Sequence, residues 1–339
     1  MIDISVIIPM YNAEKHIRKC LDSLLIQQGA QFEFIIVDDG STDNSFSICK
    51  EYSLKDERIR LIHKENGGSV SARNTGIEIA EGRFIAFADS DDYVDDNYLN
   101  DFINLANSMD ADIVVKPYVI ETNGSAVQKQ LNFEAGLYQG DKKRAINRGI
   151  LATDIRGEKS IYSSLWGKLF KSSLVKQYYR MVSNRIREGE DLILVAACCT
   201  RANTIFLDSD STTYYHYVQN DGQVTRNYDP HYEERLPHLY DCIIRLNEMV
   251  RIEEFNCQFE KLVMFYTCKG FDNMFYRNSS LTYKEKLKRI KHLCEMAKSY
   301  VAIHNETNES INFRIKRFVV KHSCSNFIFM MYSAKAIKR

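Results

Sequence analysis

Apolar residues in the first third of the chain come in short runs, separated by segments with helical spacing. Residues 4–9 are unbroken, 32–38 and 83–88 are apolar and β-rich, 112–118 is one more such run, and 58–63 alternates. Between them, residues 13–28 are amphipathic and 69–80 read as helix, while Ser41-Thr42-Asp43 offers caps for a helix reaching about Tyr52. Continuous β-rich runs alternating with helices predict strands buried on both faces, and so a mostly parallel sheet wrapped by helices. Ligands of such sheets gather beyond the carboxyl ends of the strands.

The pattern weakens from about residue 119 to 161, where Asn123-Gly124 predicts a turn and 141–151 a short helix. A block at 166–170, a loop before Glu188, a helix over 192–201 and a β-rich stretch at 213–218 follow. Beyond Pro230 the texture is helical and aromatic, without repeats or low-complexity segments. The expected organisation is a domain over 1–228, in two parts, 1–118 and 119–228. A helical region over 229–339 completes it.

Composition sharpens this picture in three places. The 339 residues suit one large domain, or one with an appendage. A formal net charge of zero hides an asymmetry: residues 1–110 carry 20 acidic against 10 basic side chains, whereas 311–339 carry seven Lys or Arg and no acid. An acidic, cation-seeking head and a basic tail are the expectation. Nine cysteines without a C-x-x-C spacing read as reduced thiols of a cytosolic protein. A secretory leader is not expected, and no apolar run approaches the ~20 residues of a spanning helix. Nucleic acid is not an expected partner.

Three strand ends carry polar punctuation: Pro9-Met10-Tyr11-Asn12-Ala13-Glu14, Asp38-Asp39-Gly40-Ser41-Thr42-Asp43 and Asp89-Ser90-Asp91-Asp92. Each alone has a plain explanation as a turn, a cap or a solvated acidic loop. Together they crowd like charges at one sheet edge, which costs stability unless a cation or hydrogen-bond donors offset them. Carboxylates in D-x-D spacing suit Mg²⁺ or Mn²⁺, which keep waters and share the site with phosphates.

These blocks, with Asn66-Gly67-Gly68-Ser69-Val70-Ser71-Ala72-Arg73-Asn74-Thr75-Gly76 between them, resemble the family-2 inverting glycosyltransferases over roughly residues 4–100. The resemblance implies a GT-A fold and a nucleotide-diphosphate sugar donor, usually UDP-linked, with residues 1–118 as the donor-binding part and 119–228 as the acceptor and catalytic part. It implies a nucleotide-sugar site drawn from Pro9, Tyr11, Asn12, Glu14, Asp38, Asp39, Arg73, Asp89 and Ser90. In that site Tyr11 stacks on the base and Asp39 hydrogen-bonds it. Asp89 and Asp91 form the D-x-D pair, with Asp91 the likelier direct ligand of Mn²⁺ or Mg²⁺. A Trp-x-Lys block, here Trp166-Gly167-Lys168, precedes a Glu-Asp pair, and in that pattern Asp191 beside Glu190 is the general base of an inverting transfer. Read without the resemblance, Glu188-Gly189-Glu190-Asp191 is an acidic helix start. Trp166, Lys168, His216 and Arg226 are softer candidates for diphosphate or acceptor contacts.

Two rivals remain at this stage. A sugar-phosphate nucleotidylyltransferase needs a glycine-rich loop after the first strand, where this chain has Pro-Met-Tyr-Asn. A non-catalytic carbohydrate-binding or scaffold protein with a retained fold is the other. The resemblance also implies a glycan acceptor on a lipid-diphosphate carrier, in the synthesis of capsule, exopolysaccharide or lipopolysaccharide. The tail's basic and apolar residues then suggest a peripheral protein on an anionic, cytoplasmic membrane face; association into homo-oligomers stays open.

Overall fold

The structure is a computed structural model that describes residues 1–339 except 123, 152–159, 220–226, 277, 303–310 and 338–339. Strands and helices alternate first: β1 (Ile4–Met10), α1 (Ile17–Leu25), β2 (Phe32–Asp38), α2 (Ser45–Ser53), β3 (Ile59–His63), α3 (Ser69–Ile79) and β4 (Phe84–Phe87). Next come β5 (Tyr93–Val94), α4 (Tyr98–Ser108), β6 (Ile113–Val115), β7 (Tyr118–Thr122), β8 (Ser125–Lys129), β9 (Gly136–Gln139) and α5 (Gly140–Asn147). The strands end with β10 (Lys168–Lys171), α6 (Ser172–Tyr178), α7 (Glu190–Arg201), β11 (Thr204–Leu207) and β12 (Tyr215–Gln219). The remainder is helical: α8 (Tyr232–Val250), α9 (Phe255–Met274), α10 (Tyr283–Tyr300), α11 (Ile311–Lys321) and α12 (Ser325–Ile337).

The main sheet has the order β3-β2-β1-β4-β10-β6-β11-β9, and a smaller one runs β5-β12-β7-β8. β1 to β4 are mutually parallel, as their doubly buried apolar runs require. Helix α3 lies so close on β1 that a Cβ at Gly76 would meet the Ile7 side chain at 2.7 Å. β10 inserts antiparallel between β4 and β6, a pairing that a short block at 166–170 does not announce in sequence.

The expected strand over 112–118 divides. Pro117 has no N–H for the ladder, so β6 stops in the main sheet and β7 starts in the small one. β8 pairs antiparallel with β7, and all five of its residues are exposed and mostly polar, as suits an edge. The helix expected over 13–28 begins only at Ile17, because the amides of Ala13 and Glu14 are taken by the loop after β2. The later helix begins at Glu190 rather than Leu192, which puts both carboxylates of the Glu-Asp pair on its first turn.

The boundary drawn at residue 228 does not divide the core. Leu192–Cys199 of α7, Leu236, Leu239 and Ile243 of α8, and Phe259 and Val263 of α9 belong to one hydrophobic cluster that also holds Ile7 and Ile35. The helical region therefore packs against the helix that carries the Glu-Asp pair. All nine cysteines are free thiols, most of them buried.

Candidate active site

The loops after β1 and β2 build one wall together. Asn12 Oδ1 accepts the Thr42 N–H at 2.8 Å, and the Asn12 N–H donates to Ser41 Oγ at 3.0 Å. Glu14 Oε2 accepts from the Asn44 N–H and Nδ2 at 3.1 and 3.0 Å. Asn12, at a left-handed φ of 50°, and Glu14 thus lace the two loops to each other. Tyr11 is left 51% exposed, and Pro9 is half-buried.

Beside this wall Asp38 is fully buried and bonds His63 Nδ1 at 2.6 Å and the Ser41 N–H at 3.2 Å. Asp39 accepts the N–H groups of Gly67 at 3.0 Å and Gly68 at 2.7 Å, and the Lys64 ammonium at 2.7 Å. A carboxylate offers about four acceptor positions, so Asp39 is close to saturated. Sequence reasoning did not assign Lys64 a role; its position just after β3, parallel to β2, is the signal that would have placed it.

Arg73 on α3 is the centre of the second wall. Its Nη1 lies 2.8 Å from Asp191 Oδ1 and 3.6 Å from Glu190 Oε1, and its Nη2 lies 3.6 Å from Asp89 Oδ1. Asp191 is further fixed by the Leu165 N–H, which donates to Oδ2 at 3.1 Å. The D-x-D loop and the Glu-Asp pair, about a hundred residues apart in sequence, therefore meet across one guanidinium. Burial works against the Arg73 charge, but Asp191, Asp89 and Glu190 outweigh it and raise its pKa. Burial, with Asp191 adjoining, pushes Glu190 up to about 7 despite Arg73. Burial likewise lifts Asp89 to about 6, with Asp191 and Asp91 adding to the rise against the pull of Arg73. Asp92 is raised by burial and then by Asp89 and Asp91.

A floor of stacked rings carries the D-x-D loop. Trp166 stacks on Tyr215 at 4.8 Å and 2° between planes, with Tyr217 and Tyr162 stacked at 5.5 and 5.3 Å. The buried Tyr215 hydroxyl accepts the Asp89 N–H at 2.9 Å and donates to Asp92 Oδ2 at 2.7 Å. Ser90, half-buried, sits in the turn between these two anchors.

Three softer expectations need correcting. Trp166 is buried in this ring cluster, so it supports the loop from below. Lys168 is wholly buried: its ammonium donates to the Ser164 carbonyl at 2.7 Å and sits 3.3 Å over the Tyr162 ring, too enclosed to meet a diphosphate. His216 stacks on Tyr93 at 4.3 Å, with Nε2 2.8 Å from Asp95 and Nδ1 3.1 Å from Glu121. Both its nitrogens serve carboxylates of the small sheet. Arg226 lies outside the described residues.

A divalent cation fits the donor set. Asp89, Glu190 and Asp191 share Arg73, and Asp91 and Asp92 are further carboxylates whose charges add to the rise that burial causes at Asp89 and Asp92. Hard oxygen ligands with excess negative charge suit Mg²⁺ or Mn²⁺. Among the described residues no three His, Cys, Asp or Glu side chains come together as a ready-made metal site, so any cation here would complete its coordination with water or phosphate oxygens.

The fold and this acidic strand-edge site define a nucleotide-sugar type of α/β transferase scaffold, and comparison with known proteins agrees. The profile of glycosyl transferase family 2 matches residues 5–179, just over half of the chain, and the chain belongs to that family. It is a glycosyltransferase with a GT-A fold. EpsH of Bacillus subtilis (strain 168), whose name assigns it a glycosyltransferase activity provisionally, is 28% identical over 296 residues, 86% of this chain and 83% of EpsH. The poly(ribitol-phosphate) beta-glucosyltransferase of Bacillus spizizenii is 33% identical over 224 residues, 65% of this chain but only 33% of that longer protein. The crystal structure of S. aureus TarS 1-349 in complex with UDP-GlcNAc superposes with a TM-score of 0.68 at 20% identity, covering 100% of this chain and 93% of the other. These likenesses set aside the nucleotidylyltransferase and the scaffold.

Proposed function

We propose that the protein transfers a sugar from a UDP-linked donor to a hydroxyl of a growing surface glycan, with inversion at the anomeric carbon. The observation that carries this reading is the meeting of Asp89 with Glu190 and Asp191 on Arg73, which sets a diphosphate-side group beside a proton acceptor. The UDP and UDP-GlcNAc held by TarS support the donor class. Tyr11 offers its open ring to the base, and Asp39, already holding Lys64 and the Gly67 and Gly68 N–H groups, keeps one acceptor position for the base's imide N–H. Asp89 and Asp91 would hold Mn²⁺ or Mg²⁺, which, when bound, neutralises the diphosphate leaving group.

Asp191 is the general base. Arg73 and the Leu165 N–H fix its orientation, and its remaining lone pairs accept the acceptor's hydroxyl proton as the oxygen attacks the anomeric carbon. Inversion needs one base opposite the leaving group and no covalent intermediate. Glu190 is the second candidate, because a carboxyl pushed up to about 7 is poised where general bases work best. Turnover of Asp191→Asn and Glu190→Gln decides between them. Asp191→Asn is expected to lose about 10²–10⁴-fold in kcat with UDP affinity unchanged. Near-normal turnover in Asp191→Asn with collapse in Glu190→Gln reverses the roles.

The acceptor in this reading is a glycan on a lipid-diphosphate carrier, and the protein works peripherally on the cytoplasmic membrane face. No helix of the described residues is long and apolar enough to cross a membrane. Support for peripheral contact comes from the exposed side chains of α11 and α12, considered at the scale of the whole molecule below.

A further inference from the structure

A cavity of about 350 Å³ opens beside the catalytic turn, in the angle between the start of α7, the start of α8 and the end of α9. Glu188, Tyr228, His231, Arg235, Lys269 and Tyr276 contribute to its lining. Its size lies within the range of small-ligand sites, about 300–1,000 Å³. Two tyrosine rings among charged groups give flat apolar faces with polar edges, a surface suited to a polyhydroxylated ring rather than to an acyl chain.

The cavity is a built feature. Asn273 brackets Asp229 from both sides, Oδ1 accepting its N–H and Nδ2 donating to its carbonyl, each at 2.8 Å. Asn278 Oδ1 accepts the Tyr228 N–H at 2.9 Å, and Arg235 ion-pairs with Asp229. Across the opening, Lys269 on α9 holds Glu188 at 2.8 Å. The turn that joins this wall to the base is pinned as well. Gly189 has φ +80°, and a Cβ there would come 2.5 Å from the Tyr266 hydroxyl.

Glu188 precedes Asp191 by three residues, so their Cα atoms lie within about 11 Å of each other. That is a distance of one or two sugar rings. We propose that this cavity is the acceptor subsite, holding the glycan unit that presents the reacting hydroxyl to the Glu190-Asp191 pair. It rests on the assignment of that pair as catalytic. Acceptor choice then belongs to Tyr228, just before the helical region, and Tyr276, within it, while the donor is chosen by the sheet edge.

The test uses the full chain with UDP bound and a panel of methyl and octyl glycosides as probes, read by saturation-transfer NMR and titration. At least one glycoside is expected to bind, and Tyr228→Ala and Tyr276→Ala are each expected to weaken it by about fivefold or more, roughly 1 kcal/mol. Tyr228→Phe, which keeps the ring, retains most of the affinity. Melting midpoints within a few degrees of wild type show that the variants are folded. Absence of any glycoside binding, or binding indifferent to both tyrosines in folded variants, overturns the proposal. UDP affinity is measured in the same samples by calorimetry: its absence in the wild type strikes the donor reading, whereas its persistence with indifferent glycoside binding strikes the cavity alone.

Discussion

At the scale of single residues, the carboxylates around Arg73 tie stability to pH. The folded state holds the Glu190 proton up to about pH 7, against an ordinary value of 4.5. Between those values the folded protein binds more protons than the unfolded chain, so stability falls as pH rises through the window and levels off above it. Glu190→Gln lacks this titration. Its melting temperature minus that of the wild type is expected to be near zero below pH 4.5 and to climb to a plateau of a few degrees above about pH 7. A difference independent of pH would show that Glu190 does not titrate in that window.

The residues of the site differ in how legible they were. Asp89, Asp91, Glu190 and Asp191 stand out in sequence because acids cluster at strand and helix ends. The role of Arg73 as the common partner of Asp89, Glu190 and Asp191 did not, since it requires α3 and α7 to come together, a contact about 118 positions apart. Asn12 and Glu14 were read as nucleotide contacts; in the structure their side chains accept the amides of Thr42 and Asn44 and so tie the two loops together, a long-range pairing that no local pattern announces. Lys168 was placed differently for another reason: lysines are rarely buried, and here the carbonyl of Ser164 and the ring of Tyr162 help make burial tolerable.

At the scale of elements, the parallel half of the sheet could be read directly, because strands buried on both faces leave unbroken apolar runs. The antiparallel pairing of β10 and the separate small sheet could not. The β-rich stretch at 213–218 announced β12, but β10 is short and only one residue of β12 is fully buried, so the partners of neither could be read. Yet β12 does essential work, since Tyr215 hangs the D-x-D loop from it. Tyr215→Phe keeps the stack on Trp166 but leaves the Asp89 N–H without its acceptor and the buried Asp92 without one donor. The expected cost is about 1–3 kcal/mol, seen as a lower denaturant midpoint with an unchanged slope. Trp166→Ala, which empties the centre of the ring cluster, is expected to cost more, about 3–5 kcal/mol. A Tyr215→Phe variant as stable as wild type would mean the hydroxyl does not hold the loop.

At the scale of the whole molecule, the tail separates into a part that docks and a part that faces outward. Val319, Val320, Ile328 and Tyr332 are buried in the main core, which places α11 and α12 against α9 and α10. Arg317, counted in sequence as one of a basic outer row, is buried and ion-paired with Glu260 of α9, so it is part of the docking face. What remains outside is apolar and basic at once: Ile315, Phe318, Phe327 and Met330 are 39%, 55%, 44% and 62% exposed, and Arg314 lies exposed among them with Lys316 and Lys321 half-buried. Helices of this kind lie in the interfacial plane of a membrane, with each basic residue contributing about 1 kcal/mol on an anionic surface. Binding to vesicles containing phosphatidylglycerol is therefore expected to weaken with salt and to be slight on neutral phosphatidylcholine. The combined variant Arg314→Glu, Lys316→Glu and Lys321→Glu should release the protein, and Phe318→Ser with Met330→Ser should weaken it at all salt concentrations. Arg317 must be spared, because reversing it would bury a second carboxylate against Glu260 and unfold the docking face. Sedimentation with the vesicles reads the outcome, and a wild type that stays in solution with anionic vesicles at low salt removes the membrane from the proposed function while leaving the transfer chemistry as it stands.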